Sequence, residues 1–401
     1  MVGIRFLGAE AQAEMKDMNP KFSHKPCVYW YFSFRCNLAC KHCWVNSFPT
    51  VDTSNDLTTE EALAAMKKLR ELNPMSLLLS GGEVLFRPDI YILLEGLIAH
   101  KLRCDIETNG ILVNTRLVQL LRRGLDEGVE IAIHISLDGG TPEAHNWLRG
   151  RQAFERTMKG IAALREADIP VEIQCIINQK DIESIPRLFE IAEQYTLRAL
   201  KFGFVNPVGR GQQNYDQLGL HYDQYTKALW LIAQHLPSFK QKVLLKVPPA
   251  IIPPTLMPRI TSAKNLKLIT SCMFPLLGIL PDGTVTICAL TRGLEQVRFG
   301  NVKTDSLVEI WSRKEIALLR SQYERAVIKG ICGNCIFRHH CKGSCRAYAF
   351  TEFGTFQEPH PLCTAFDRDG KFPSIYKESW RKRNANGEGN EVGRDLMTVH
   401  G

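Results

Sequence analysis

The chain has 401 residues, of which 45% are hydrophobic and 23% charged, and a formal net charge of +8. That length accommodates one large core with a smaller unit beside it, or two domains. No apolar run reaches the ~18 residues that span a bilayer, and Met1–Asn19 lacks the apolar stretch of a signal peptide. The reading is therefore a cytoplasmic protein without a membrane partner. The modest positive charge suits an acidic peptide and gives no footprint for nucleic acid.

From residue 28 to about 210, short apolar runs alternate with amphipathic stretches. Strands are predicted at Val28–Phe34, Met75–Leu79, Leu102–Glu107, Glu130–Leu137, Val171–Ile177 and Ala199–Phe204. Between them lie helices with their own start signals. Thr58 and Glu61 form a capping box before Ala62–Leu72. Asn114 caps the run through Leu117, Leu120 and Leu121. Phe154, Met158, Ile161 and Leu164 recur at helical spacing. Six strand–helix repeats imply parallel strands with right-handed crossovers and a barrel or open sheet of the α/β class, with its chemistry at the C-terminal strand ends.

A helical stretch near His221–His235 precedes a proline-rich segment, Val247–Arg259, which reads as an extended linker. The region from Cys272 to Cys363 is dense in cysteine, and the polar tail after Arg381 reads as disordered. The expected organisation is an N-terminal extension (1–27), a partial barrel (28–215), a helical bridge and linker (216–265), a cysteine-rich domain (266–370) and a tail (371–401).

The thirteen cysteines are odd in number and locally clustered, unlike a secreted disulfide framework. Cys27, Cys104 and Cys175 stand alone in apolar contexts and read as core residues. Cys36, Cys40 and Cys43 follow directly on the first strand. They offer three thiolates where a closed zinc site wants four. A [4Fe–4S] cluster held by three thiolates leaves one iron free for another ligand.

This CxxxCxxC spacing resembles the signature of the radical S-adenosylmethionine (radical SAM) superfamily. The resemblance implies that the open iron chelates S-adenosylmethionine and that one electron cleaves it to a 5′-deoxyadenosyl radical. His42 stands where the family usually has an aromatic, and would pack near the adenine. Ser80-Gly81-Gly82-Glu83, ending the second strand, is similar to the family's GGE motif. The glycines would let the backbone approach the ligand, and Glu83 would accept from its ammonium. Glu107-Thr108-Asn109-Gly110 and Ser136-Leu137-Asp138-Gly139 close the next two strands, followed by Arg149. By resemblance Ser136 and Arg149 hold the cofactor's carboxylate, with Asn109 and Asp138 in its surroundings. Asn206–Gly211 has the same flavour.

The C-terminal cysteines resemble the SPASM extension, which carries two auxiliary [4Fe–4S] clusters. Cys272, Gly283 and Cys288 fit its first element, with Pro281-Asp282-Gly283 as a hairpin turn, and Cys332, Cys335, Cys341, Cys345 and Cys363 fit the remainder. By analogy Cys332, Cys335, Cys341 and Cys363 close one cluster, while Cys272, Cys288 and Cys345 hold the other. Its usual fourth cysteine is missing, since Met273–Ile287 contains none. An open iron, a non-cysteine ligand or lower occupancy would follow. A zinc-ribbon fold on the same thiolates is the competing reading, disfavoured because seven cysteines do not make two four-ligand zinc sites.

The resemblance implies an enzyme that abstracts hydrogen from a substrate. A ribosomally made precursor peptide is the first expectation, and a small molecule of tetrapyrrole metabolism the alternative. A non-enzymatic electron-transfer or scaffold protein would leave the cofactor constellation idle. Ala289 stands where sulfatase maturases carry an Asp, which argues against that activity. The segment before the first strand is shorter than the roughly 80-residue leader-recognition domain fused to some relatives. For a peptide substrate, leader recognition is then expected from a separate protein or from the barrel surface, and an electron donor such as flavodoxin or ferredoxin is an expected partner.

Overall fold

A computed structural model describes residues 25–271 and 276–379. The first 24 residues, Cys272 and the tail beyond 379 lie outside the described residues. No helix among the described residues is long and apolar enough to cross a membrane.

Six parallel strands run in sequence order: β1 (Cys27–Tyr31), β2 (Ser76–Ser80), β3 (Cys104–Thr108), β4 (Ile131–Ser136), β5 (Val171–Ile177) and β6 (Ala199–Phe204). The last two have the predicted bounds and the others shift by one to three residues. The intervening helices are α1 (Thr59–Leu72), α2 (Ile90–Ala99), α3 (Thr115–Asp126), α4 (Pro142–Arg149), α5 (Ala153–Glu166) and α6 (Ile185–Gln194). Local signals set their starts. The Thr58–Glu61 capping box forms on both sides, and Asn114 accepts from the Leu117 N–H at 3.0 Å. Thr141 caps α4, whose first residue is Pro142, with its fixed φ and missing donor.

Strand alternation divides the side chains between two environments. On β3, Cys104 and Ile106 join Leu117, Leu121 and Ile133 in the buried core beneath the helices. Asp105 and Glu107, which alternate with them, face inward. Cys104 and Cys175 are core residues as expected, whereas Cys27 is only half-buried at the start of β1.

The sheet does not stop at six strands. The expected bridge does contain a helix, α7 (Tyr222–His235), but β7 (Lys242–Lys246) then pairs parallel with β6, and β8 (Leu266–Ile269) pairs parallel with β7. The predicted linker between them is packed: Ala250, Ile251, Ile252 and Leu256 are buried. Prolines obscured this segment in the sequence, although Pro249 opens a short 3-10 turn and Pro258 falls in the first turn of a helix, where neither costs a hydrogen bond. On the opposite edge β9 (Leu276–Ile279) pairs parallel with β1, then antiparallel with β10 (Thr284–Thr286), which pairs antiparallel with β11 (Gly300–Asn301). Residues 281–283 make the expected hairpin turn, with Gly283 at φ +84°. The cysteine-rich region is thus joined to the barrel through one eleven-stranded sheet.

The paired glycines after β2 also serve the packing of the loops. They bring backbone against backbone. A Cβ on Gly81 would sit 2.2 Å from the Ser33 carbonyl oxygen, and one on Gly82 would sit 2.3 Å from that of Arg35. The Gly82 and Glu83 N–H groups donate to those same two carbonyls at 2.8 and 3.0 Å. This docks the second loop onto the segment leading into Cys36. Gly82→Ala should therefore lower stability by ~1–3 kcal/mol, the usual range for forced overpacking, and reduce iron bound at the Cys36 loop. Denaturant unfolding and iron analysis of the variant would check both.

Candidate active site at the strand ends

A cavity of about 360 Å³ opens at the C-terminal ends of the strands. Cys36, Cys40 and Cys43 line one part of it, with Gly82, Glu83, Asn109, Ser136, Arg149 and His42. Cys288, Cys345, Tyr348 and His360 line another part. The loop geometry brings together nearly every candidate residue at the barrel end.

The triplet loop is held by polar contacts from several directions. Arg210 donates from Nε to the Cys40 carbonyl at 2.8 Å and from its terminal nitrogen to the Ser47 carbonyl at 2.7 Å. Asn214 donates to the Lys41 carbonyl at 3.0 Å. Gly209 fits where a Cβ would lie 2.6 Å from the carbonyls of Cys43 and Trp44. Backbone N–H groups of Leu38 and Ser47 point at the sulfurs of Cys36 and Cys43, at 3.4 and 3.3 Å. Arg149 lies 3.9 Å from the Cys40 sulfur.

Burial pushes the Cys36 thiol up to about 12 and raises Cys40 as well, partly against the Arg149 charge. Thiolates in such a place persist only beside a cation, which fits iron ligation. Among the described residues no three His, Cys, Asp or Glu side chains converge tightly enough to chelate a single metal ion. A [4Fe–4S] cluster puts each thiolate on a different iron and does not require that convergence.

Asp138 is fully buried and does not line the cavity. Its Oδ1 accepts from the Ile176 N–H at 2.7 Å, while Oδ2 accepts from Arg149 Nε at 2.6 Å and lies 3.2 Å from His42 Nε2. Burial opposes ionisation, but Arg149 and His42 hold the carboxyl below its ordinary value. Asp138 therefore positions Arg149 and His42 and does not itself meet a ligand, a departure from the cofactor-contact expectation. Burial pushes His42 down to about 4, so the ring is neutral. With Nε2 turned to Asp138, the buried and unpartnered Nδ1 is left as an acceptor.

Two other expected contacts are also largely committed within the protein. Glu83 Oε1 accepts from Thr108 Oγ1 at 2.6 Å and from the Leu85 N–H at 3.0 Å, and Oε2 accepts from the Asn109 N–H at 2.8 Å. Burial nonetheless raises its pKa. The carboxylate brackets the ends of β2 and β3, with lone-pair capacity left on Oε2 for a cation. The Asn109 side chain donates to Asn37 at 2.8 Å and accepts from the Ile111 N–H at 3.0 Å, tying the third loop to the triplet loop.

In the C-terminal region Cys332, Cys335, Cys341 and Cys363 are buried. A bond with Cys363 lowers Cys332 to about 7, and burial drives Cys341 up to about 12. No disulfide forms among the described cysteines. Arg346 is buried beside them, its guanidinium donating to the carbonyls of Gly343, Phe356 and Glu358 at 2.6, 2.9 and 2.5 Å. A fixed positive charge there suits an anionic thiolate cluster. His360 donates its backbone N–H to Cys332 Sγ at 3.3 Å. Burial, Arg346 and Lys246 push its ring down to about 3.

Residues 30–187 match the radical SAM superfamily, and residues 272–336 match SPASM, an iron–sulfur cluster-binding domain. The chain thus carries a radical SAM domain followed by a SPASM domain. As a radical SAM enzyme with a SPASM domain it carries a [4Fe–4S] cluster with S-adenosylmethionine, and auxiliary iron–sulfur clusters. It is 28% identical over 355 residues to the AdoMet-dependent heme synthase of Methanosarcina barkeri, covering 84% of this chain and 95% of that protein. It is 26% identical over 346 residues to the mycofactocin maturase of Mycobacterium ulcerans, covering 84% and 87%. Its fold is similar to that of SuiB from Streptococcus suis bound to S-adenosylmethionine, with a TM-score of 0.66 and 16% identity over 87% of this chain and 79% of that one.

Sequence reasoning on this radical SAM enzyme missed Arg210, Asn214, Arg346, Lys201 and Lys246. The first lies inside Asn206–Gly211, where the Gly-Arg-Gly was the available signal. The lysines were hidden because a charged residue at the rim of a cavity looks like any surface residue in sequence, and Lys246 is itself exposed.

Two expectations follow. Replacing Cys36, Cys40 and Cys43 together with Ala should abolish 5′-deoxyadenosine formation while leaving the C-terminal clusters in place, as judged by product chromatography and iron content. The second concerns His145, which is fully buried, accepts the Asp138 N–H on Nδ1 at 3.1 Å and is pushed down to about 3 by burial and Arg149. A folded pKa below the unfolded value of 6.5 means that the unfolded chain takes up a proton first as pH falls. Stability from this group is full above pH 7 and should drop by about 2 kcal/mol by pH 5. Denaturant titrations at the two pH values, on wild type and His145→Asn, should show that increment reduced in the variant.

Proposed function

We propose that this radical SAM enzyme abstracts hydrogen from a carboxylate-bearing substrate of tetrapyrrole type. The observation that carries the reading is the pair Lys201 and Lys246, placed by β6 and β7 in the same cavity as the triplet cysteines. Similarity to the heme synthase over 95% of that protein supports it, and shifts weight from the peptide substrate expected first. The mycofactocin maturase similarity favours the second reading, a precursor peptide delivered with a separate leader-recognition protein.

In this reading Cys36, Cys40 and Cys43 hold the cluster that, with S-adenosylmethionine bound and one electron from a flavodoxin- or ferredoxin-type donor, supplies a hydrogen-abstracting radical. Arg149, fixed at Nε by Asp138, would hold the cofactor's carboxylate, with Ser136 beside it. Glu83 would receive the ammonium, and His42 would pack near the adenine. Lys201 and Lys246 pair with substrate carboxylates and set which carbon faces the radical. Tyr31, Phe202 and Val247 line the same cavity and offer it apolar surface. Cys332, Cys335, Cys341 and Cys363 hold one auxiliary cluster, and Cys272, Cys288 and Cys345 belong to the other.

The deciding assay uses anaerobically reconstituted enzyme, S-adenosylmethionine and reductant, with a propionate-bearing iron porphyrin or with peptides encoded beside the gene. Porphyrin-dependent 5′-deoxyadenosine and a changed porphyrin mass are expected. Modification of a peptide alone would overturn the first reading in favour of the second. Lys201→Ala and Lys246→Ala should each weaken porphyrin binding by ~1.5–3 kcal/mol, about one to two decades in Kd, measured by spectral titration.

A further inference from the structure

Trp44 follows directly on the last cysteine of the triplet and is 37% exposed. A single open aromatic on an outer surface needs no explanation. Trp44, however, lines the cavity that Lys201 and Lys246 also line. The triplet loop follows β1, and β1 lies five strands from β6 in the sheet order. The indole and the lysines therefore reach one cavity from separate parts of the sheet.

The indole is held in place by the protein itself. Tyr31, which is 1% exposed, meets it edge-on, with ring centroids 6.2 Å apart and planes at 72°. Tyr29, two residues back on the same face of β1, lies 6.1 Å from Tyr31 with its ring inclined by 29°. Val45, Leu280 and Ala289 pack around Tyr31 as well. On the backbone side, the Cys43 carbonyl accepts from the Arg210 N–H at 3.0 Å, and a Cβ on Gly209 would lie 2.6 Å from the Trp44 carbonyl oxygen. A side chain fixed in advance loses little rotamer freedom when a ligand covers it. Ion pairs at the two lysines can anchor carboxylates, but they do not distinguish one carbon skeleton from another.

We propose that Trp44 selects a flat, conjugated ring: the substrate's macrocycle stacks on the indole while its carboxylates pair with the lysines. This rests on the tetrapyrrole reading above and adds a demand that the lysines alone do not make. On the scale of base–aromatic stacking, the contact contributes about one to two decades of affinity. A puckered, non-conjugated ring with the same carboxylates keeps the ion pairs and loses most of the stacking.

The test compares two ligands on full-length, anaerobically reconstituted enzyme with S-adenosylmethionine: a metal-free propionate-bearing porphyrin, and its fully reduced porphyrinogen with the same carboxylates. Equilibrium dialysis measures both. Wild type should prefer the porphyrin by about tenfold or more. Trp44→Phe should keep most of that preference. Trp44→Leu, apolar but without a π face, should abolish it by weakening the porphyrin alone. Lys246→Ala should weaken both rings alike, and S-adenosylmethionine affinity should be unchanged in both Trp44 variants. The inference alone is overturned by equal binding of the two rings, by binding that requires the porphyrin iron, by a preference that survives Trp44→Leu, or by lost S-adenosylmethionine binding in that variant. Failure of wild type to bind any propionate-bearing porphyrin, with or without iron, would overturn the tetrapyrrole reading and the inference with it.

Discussion

The Asp138–Arg149 ion pair is the contact on which the barrel end depends. Asp138 is buried just past the end of β4, and one carboxylate draws in the end of β5 through Ile176, the triplet loop through His42, and α4 through Arg149. Removing one partner of such a pair leaves an uncompensated buried charge, typically a loss of 3–5 kcal/mol. The cost falls on the whole loop arrangement, because the triplet loop has little apolar surface of its own to bury. Cys36 and Cys40 are buried, but Asn37, Leu38, Lys41 and His42 between and beside them remain partly accessible. Hydrogen bonds from Arg210 and Asn214 on one side and the glycine turn on the other supply what hydrophobic packing does not.

A single electrostatic pattern recurs at both cysteine regions. Each gathers buried sulfurs whose ionisation burial opposes, and each places a buried guanidinium among them, Arg149 beside Cys40 and Arg346 beside Cys332, Cys341 and Cys345. Arginine suits this role because it is weakly hydrated, always charged and can share its donors among carbonyls and sulfur. Arg346 illustrates the second property: carbonyls satisfy its terminal nitrogens while its charge remains available to the thiolates. The guanidinium groups thus offset the anionic clusters without competing with iron for the sulfurs.

Much of this was legible in the sequence, and the failures have physical causes. Strands and helices came through because each carried an unambiguous period and a cap, as Thr58 and Asn114 show. The cysteine triplet and the strand-end motifs were legible as residue types at fixed spacing. Their detailed roles were not. Glu83, Asn109 and Asp138 each sit at the right strand end, yet their side chains spend most of their hydrogen-bonding capacity on neighbouring loops. Spacing cannot reveal which partner a carboxylate will find. The same holds for Gly81 and Gly82, whose close approach is to the backbone of Ser33 and Arg35. Proline density between 248 and 258 suggested an open linker because it signals broken secondary structure, and says nothing about whether the broken segment packs.

That packed segment bears directly on function. By carrying the parallel sheet past six strands, β7 brings Lys246 to the cavity that Lys201 of β6 also lines, and the buried run from Val247 to Pro253 follows it. On the opposite edge β9 pairs with β1, so the hairpin that presents Cys288 is an extension of the strand that presents the triplet. The sheet curves round a single cavity from these two edges. Cys36, Cys40 and Cys43, the lysine pair, Cys288 and Cys345 therefore line one cavity. In the proposed reading, a substrate anchored on the lysines would lie in the same cavity as both the triplet cysteines and Cys288 and Cys345.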